Sequence, residues 1–171
     1  MPGVSNELRH APGPAPRPRP DRLDDVDQRL IELLVADART PNATLAAKLG
    51  VAPSTCLTRL RALRERGVIR GYHAELDLGR LGLPIQAMVA VRLATHTREQ
   101  VDRFRAVAPT LPGVLAVYHV TGPIDYLLHV AVADAEALRD LVLDHVVSLP
   151  EVAHAETSLI FEHVRGASPL A

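Results

Sequence analysis

Ser54, Thr55, Thr58, Arg61 and Arg64 recur at spacings that place short hydroxyls and guanidiniums on one face of a helix. Hydroxyls at the start of such a helix can approach base edges, and arginines can reach guanine or phosphate. Leu57 sits among them, and Lys48 and Arg66 extend the cationic surface to either side, while Arg59, beside the buried stripe, can reach phosphate or hold the helix through an acid such as Glu65 or one on the preceding helix. From Arg39 to Gly71 there are seven Lys/Arg and one acid, a local balance of +6 in a chain of net charge −1. A basic patch confined to one element is the electrostatic footprint of a nucleic-acid site. A solvated arginine-rich face would show the same charge. It would not explain why a Gly-containing turn and small residues stand at the start of that helix.

Signatures of catalysis are absent: there is no GxSxG, HExxH, P-loop or strand-following GxGxxG. His73, His96, His119, His129, His145, His154 and His163 are scattered, with no pair at the spacing of a metal-binding helix. His119 and His129 fall on neighbouring predicted strands and could approach each other, although a structural or solvent-facing role is the simpler expectation. The single cysteine, Cys56, excludes an internal disulfide and a multi-cysteine zinc site. No metal or cofactor is expected.

The elements that position the basic face follow from periodicity. Asn42 to Leu49 reads as a short helix, with Asn42 as N-cap and Gly50 at the C-cap. A second helix starts near Pro53 or Ser54 and buries Cys56, Leu60 and Leu63. A preceding helix over 24–38 is capped by Asp24, has Asp25 and Asp27 at its positive end, and carries an apolar stripe of Val26, Leu30, Leu33 and Leu34. Together these predict a three-helix domain over 21–71. Residues 1–20 hold six of the fourteen prolines and read as a disordered tail. Gly71 to Asp77 alternates like a strand, a wing or hinge within a connecting segment over 72–84.

From Ile85 the pattern changes. Strands are predicted over 85–93, 114–121, 125–133 and 157–164, with helices over 98–107 and 134–147. The first helix should bury Val101, Phe104 and Val107, and the second Leu138, Leu141, Val142 and His145. The order βαββαβ is ferredoxin-like, so the fold class is α+β, with this domain spanning 85–165 and a short tail at 166–171. Leu-Pro-x-Val follows both helices, at Leu111 and at Leu149, an internal echo of the two halves. Two helices on one face leave the other face of the sheet open, which dimerisation would cover. Residues 72–171 carry seven Arg and twelve acids, so the basic character belongs to the N-terminal half alone. Aromatic residues make up 3% of the chain against 47% hydrophobic, so both cores are aliphatic. No stretch reads as a membrane span or a signal peptide, and a cytoplasmic protein is expected.

LDDVDQRLIELLVADAR from Leu23, LAAKLGVAPSTCLTRLRAL from Leu45, GVIRGYHAELD from Gly67 and VTGPIDYLLHVAV from Val120 resemble, in this order, the Lrp/AsnC family of transcription regulators. The resemblance covers roughly residues 22–165. It implies a winged helix-turn-helix domain on double-stranded DNA and a C-terminal RAM domain that binds small molecules, usually amino acids, between dimers. It also implies homodimers that assemble into tetramers or octamers and associate with the nucleoid. Gly122 and Asp125 match the glycine and acid of the family's effector loop, flanked by Tyr118, Thr121 and Tyr126. Ser158 and Ile160 match positions linked to effector response. Pro123 and Ile124 depart from the family's polar-then-aromatic pair, and Ala52 stands where the family has a capping serine. Two alternatives remain open from sequence. One is an architectural DNA-binding protein without an effector. The other is an enzyme like the related sirohaem decarboxylases, with His73 or His119 as the catalytic candidate.

Overall fold

The computed structural model describes residues 22–164 and Gly166. The tail expected over 1–20, and all of 166–171 except Gly166, lie outside the described residues. The chain divides into two compact units, one up to His73 and one from Ala74 to Gly166.

The first unit contains α1 (Asp25–Ala36), α2 (Asn42–Leu49) and α3 (Pro53–Glu65). Leu30 and Leu34 of α1 meet Leu45 and Ala46 of α2 and Cys56 and Leu63 of α3 in one buried aliphatic cluster. Asp24 caps α1, its Oδ1 accepting the Asp27 amide at 2.8 Å. Gly50 closes α2 with φ 67°, a left-handed conformation that costs a residue with a Cβ more than it costs glycine. Asn42 is not the N-cap of α2. Pro41 holds that position, and the Asn42 amide donates to the Pro53 carbonyl at 2.9 Å, tying the start of α2 to the start of α3.

Arg59 fixes α3 against α1. Its Nη1 lies 2.7 Å from Asp24 Oδ2 and 2.8 Å from Asp27 Oδ1. The Asp27 amide and the guanidinium together hold the Asp24 carboxyl below the usual carboxylate range. Asp27, expected to serve only the helix dipole, is buried and carries this contact. Arg66 Nη1 approaches the same carboxylate at 3.8 Å. The sequence left Arg59 open to DNA. The fold turns it inward, because position 59 lies beside the buried stripe and within reach of two acids on α1.

The expected strand at 71–77 is not formed. A strand needs a ladder partner, and none is present among the described residues. Tyr72 and Leu76 are left exposed there.

The second unit is a four-stranded antiparallel sheet in the order β2-β3-β1-β4, built from β1 (Ile85–Leu93), β2 (Val114–His119), β3 (Tyr126–Val132) and β4 (Val152–Leu159). Helices α4 (Arg98–Val107) and α5 (Ala135–Asp140) connect the strands into the βαββαβ arrangement. Ala87, Val89, Val91 and Leu93 of β1 and Tyr126, Leu128, Val130 and Val132 of β3 form the covered face, under Phe104, Ala108, Leu138, Leu141 and Val146. The Leu-Pro-x-Val echo is a repeated turn: the Val114 amide donates to Leu111 and the Val152 amide to Leu149. At the first of these Gly113 has φ 74°, and a Cβ there would lie 2.8 Å from the Ala131 carbonyl oxygen.

Three expectations for this unit are corrected. β4 begins five residues earlier than predicted and ends at Leu159, leaving Phe161 exposed. Its residues read as polar because β4 is an edge strand, and edges carry polar side chains against unwanted pairing. Val107 is exposed, and Ala108, on the following 3₁₀ turn, takes its place in the core. His145 is also exposed, and Val146 is buried instead. There the helix continues as a π-helical stretch over Leu141–Val147, whose wider turn brings the fifth residue after Leu141 over the core rather than the fourth.

Arg59→Ala strips the guanidinium from a buried carboxylate. It is expected to lower the stability of the N-terminal unit by about 1–2 kcal/mol, the partial exposure of the pair limiting the loss. Urea unfolding followed by circular dichroism checks this. Stability equal to that of the parent protein would mean that the clamp does not hold α1 to α3.

Candidate nucleic-acid interface and ligand site

Helix α3 starts without a side-chain cap. Ala52 offers none, and Pro53 at the first position has no amide proton to satisfy. The first turn therefore presents backbone N–H groups and the small exposed residues Ser54 and Thr55 to solvent. Leu57, Thr58, Arg61 and Arg64 continue this exposed face. The Thr58 hydroxyl donates to the Ser54 carbonyl at 3.0 Å, so what it turns outward is an acceptor oxygen and a methyl group. Cys56 is fully buried on the opposite side, and burial pushes its thiol up, in keeping with a core residue.

The cations divide into two sets. Arg59 and Arg66 are engaged with Asp24 and Asp27 inside the unit. Lys48, Arg61, Arg64 and Arg70 have no ion-pair partner among the described residues. Arg61, Arg64 and Arg70 instead border an open cleft of about 400 Å³ with Glu65 and Ile69. The sequence reading did not include Arg70 in the site. It stands after the helix, where helical spacing gives no signal, and only the turn at Gly67 brings it back beside Arg61.

In the second unit, the turn Gly122–Asp125 joins β2 to β3. Asp125 neither caps that turn's own amides nor faces solvent freely. Its Oδ2 accepts the Leu93 amide at 2.7 Å, and its Oδ1 meets His96 Nε2 at 2.7 Å. Burial raises its pKa, but the Leu93 amide and His96 outweigh that effect and leave the carboxyl below its ordinary value. Asp125 thus fastens the turn to the end of β1.

The other candidate ligand residues are spread out. Tyr118 is half exposed on the uncovered face of the sheet, opposite Leu127, and Ser158 lies on the same face opposite Met88. β2 and β4 are the two edges of the sheet, so these two residues stand three strand spacings apart, about 14 Å. Thr121 is exposed in the turn, and Ile160 follows β4, its amide donating to Gln86 at 2.9 Å. Tyr126 is buried under the helices, its ring 4.6 Å from those of Phe104 and His119. His119 therefore lies on the covered face. His129 lies on the other, 3.0 Å from Gln86, so the two histidines do not meet.

Beside the turn, Pro123 and Ile124 line a cleft of about 200 Å³ with Ala90, Arg92, His154 and Glu156. His154 and Glu156 escaped the sequence reading because the true extent of β4 was not apparent. Once β4 starts at Val152, alternation puts His154 and Glu156 on this face.

Asp125→Ala removes a carboxylate that holds two donors and should cost about 1.5–3 kcal/mol. Because the folded pKa is depressed, this contribution is present above the unfolded value of 3.8 and disappears as pH falls through the lower folded value. Urea titrations from neutral pH down to about pH 3 should show the gap between parent and variant closing only below the ordinary carboxylate pKa. A gap that stays constant with pH would contradict the assignment.

Residues 23–64 match the AsnC-type helix-turn-helix domain, and residues 86–170 the Lrp/AsnC ligand binding domain. The chain is 46% identical to the HTH-type transcriptional regulator AldR of Mycolicibacterium smegmatis, over 93% of each protein. Among solved structures, that of AldR from Mycobacterium tuberculosis has 41% identity and a TM-score of 0.74, over 88% of this chain and 100% of that one. A transcriptional regulator from Neisseria meningitidis, solved in complex with L-Met, has 30% identity and a TM-score of 0.81, over 87% of this chain and 97% of that one. These relatives are regulators, which sets the enzyme reading aside. No helix among the described residues is long and apolar enough to cross a membrane. A basic, uncapped helix in a three-helix unit, joined to a βαββαβ unit, is therefore the working arrangement of a DNA-binding regulator, and the chain belongs to the Lrp/AsnC family of transcriptional regulators.

Proposed function

We propose that two copies of the chain place their α3 helices in successive major grooves of a roughly palindromic site. The observation that carries this reading is the division of charge on α3: Arg61 and Arg64 are left without carboxylate partners beside Ser54, Thr55 and Thr58. Thr55, Thr58 and Arg61 contact bases. Lys48, Arg64 and Arg70 meet phosphates, and Leu57 packs against the groove wall. Arg66 reaches phosphate only in so far as Asp27 releases it, and Arg59 acts by holding the helix in place.

The second unit assembles the protein and senses an effector. The uncovered face, with Met88, Ala90 and Leu127 at its centre, supports dimerisation, and further assembly gives tetramers or octamers on the nucleoid. An amino acid binds at the Gly122–Asp125 turn and shifts the assembly state, and with it the affinity for DNA. The Neisseria relative's complex with L-Met supports an amino acid as the class of effector. Tyr118 and Ser158 stand too far apart in one subunit to grip one amino acid, which favours a site completed by a second copy.

Fluorescence anisotropy on a selected genomic site tests the DNA reading. Arg61→Ala should cost about 1–3 kcal/mol and relax sequence preference. Arg64→Ala should weaken binding to all sequences alike and reduce the salt slope by about one. Equal losses on specific and random DNA for Arg61→Ala would remove it from base contact. Absence of binding at low salt would overturn the proposal.

A further inference from the structure

We infer that the covered side of the C-terminal unit holds a second small-molecule site, a cleft between Arg105, Pro109, Val117, His119 and Tyr126 that takes a small carboxylate lacking an ammonium group, such as a 2-oxo acid. The cleft measures about 470 Å³ and lies between the end of α4 and the edge strand β2. It is on the opposite face of the sheet from Ala90, Arg92 and Glu156 beside the Gly122–Asp125 turn, and does not depend on the effector site proposed there.

Three observations converge on it. The Tyr126 ring is 1% exposed, and its hydroxyl is buried with no hydrogen-bond partner among the described residues. A buried hydroxyl left unpartnered is costly, and a ligand oxygen would relieve that cost. Arg105 is exposed, has no ion-pair partner among the described residues, and lines the same cleft as Tyr126. The His119 ring stacks on Tyr126 at 4.6 Å and 15°, giving the cleft a flat wall, and Pro109 and Val117 add apolar surface.

Arg105 and Tyr126 both border this cleft, and a guanidinium with a phenolic hydroxyl makes a donor set for a carboxylate. The acids nearby are already engaged. Asp125 is held by the Leu93 amide and His96, and Asp102 faces Arg98 at 3.8 Å. No carboxylate is among the residues that line the cleft to receive an ammonium, so a 2-oxo acid fits better than the corresponding amino acid. For a regulator, such a ligand would report the deaminated product of an amino acid.

Saturation-transfer NMR on the full chain tests this, with pyruvate as the probe and L-alanine and inorganic phosphate as competitors. Pyruvate should bind, and neither competitor should displace it. Its Kd should rise roughly tenfold or more in Arg105→Gln and in Tyr126→Phe. Without ligand, Tyr126→Phe should melt at or above the parent temperature, because the ring stays and only an unpartnered hydroxyl is lost. Absence of transfer to pyruvate would overturn the inference, as would unchanged Kd in both variants. Displacement by phosphate would reduce the cleft to a general anion patch, and displacement by L-alanine would overturn the ligand class. A lowered melting temperature for Tyr126→Phe would mean that the hydroxyl has an internal partner.

Discussion

A helix that reads DNA must be held firmly on one side while its cations stay free on the other. In this chain the Arg59 clamp on Asp24 and Asp27 meets that requirement. It engages the Asp24 and Asp27 carboxylates, and so fixes which arginines are neutralised from within. Arg61 and Arg64, two and five residues further along, point away from α1 and keep their charge for a polyanion. The rest of the first unit follows from holding α3 in place: the left-handed Gly50, the Asn42 tie to Pro53 and the buried Cys56 all set its angle against α2.

The second unit works under a different constraint. Four strands with both helices on one side leave a face of mixed character, with Met88, Ala90 and Leu127 in the middle and Arg92, His154 and Glu156 to one side. On that face Pro123 and Ile124 of the turn line a cleft with Ala90, Arg92, His154 and Glu156. On the covered side, the Tyr126 hydroxyl and Arg105 border one cleft and have no partner among the described residues. The two sides of the sheet thus differ in chemistry: a polar cleft beside the turn on one, and an arginine beside a buried tyrosine on the other.

Much of this was legible in the sequence. The three helices, the βαββαβ order, the capping roles of Asp24 and Gly50, and the Leu-Pro-x-Val turns all rest on local signals and recur in the structure. Where the reading went wrong, a non-local term decided the outcome. Arg59 was open in sequence to phosphate or to an acid on the first helix, and α1 decides this by placing two acids beside it. β4 was set too late because an edge strand lacks the apolar alternation that marks a central one. His145 was given to the core by α-helical spacing, which the π-helical stretch from Leu141 breaks. For Asp125 nothing local points to its partners, which lie on β1 and just beyond it, thirty-two and twenty-nine residues away. The register of β2 on β3, invisible in sequence, separates His119 from His129.

The central claim is that α3 reads DNA sequence through its free face, under control of an amino acid sensed by the second unit. The most direct measurement is selection of genomic DNA fragments by the purified protein, repeated with a pool of amino acids and with Arg61→Ala. Enrichment of a few sites that Arg61→Ala loses and the amino-acid pool alters is the predicted result. Uniform recovery of all fragments, unchanged by the pool or the substitution, would contradict it and leave a protein that coats DNA without reading it.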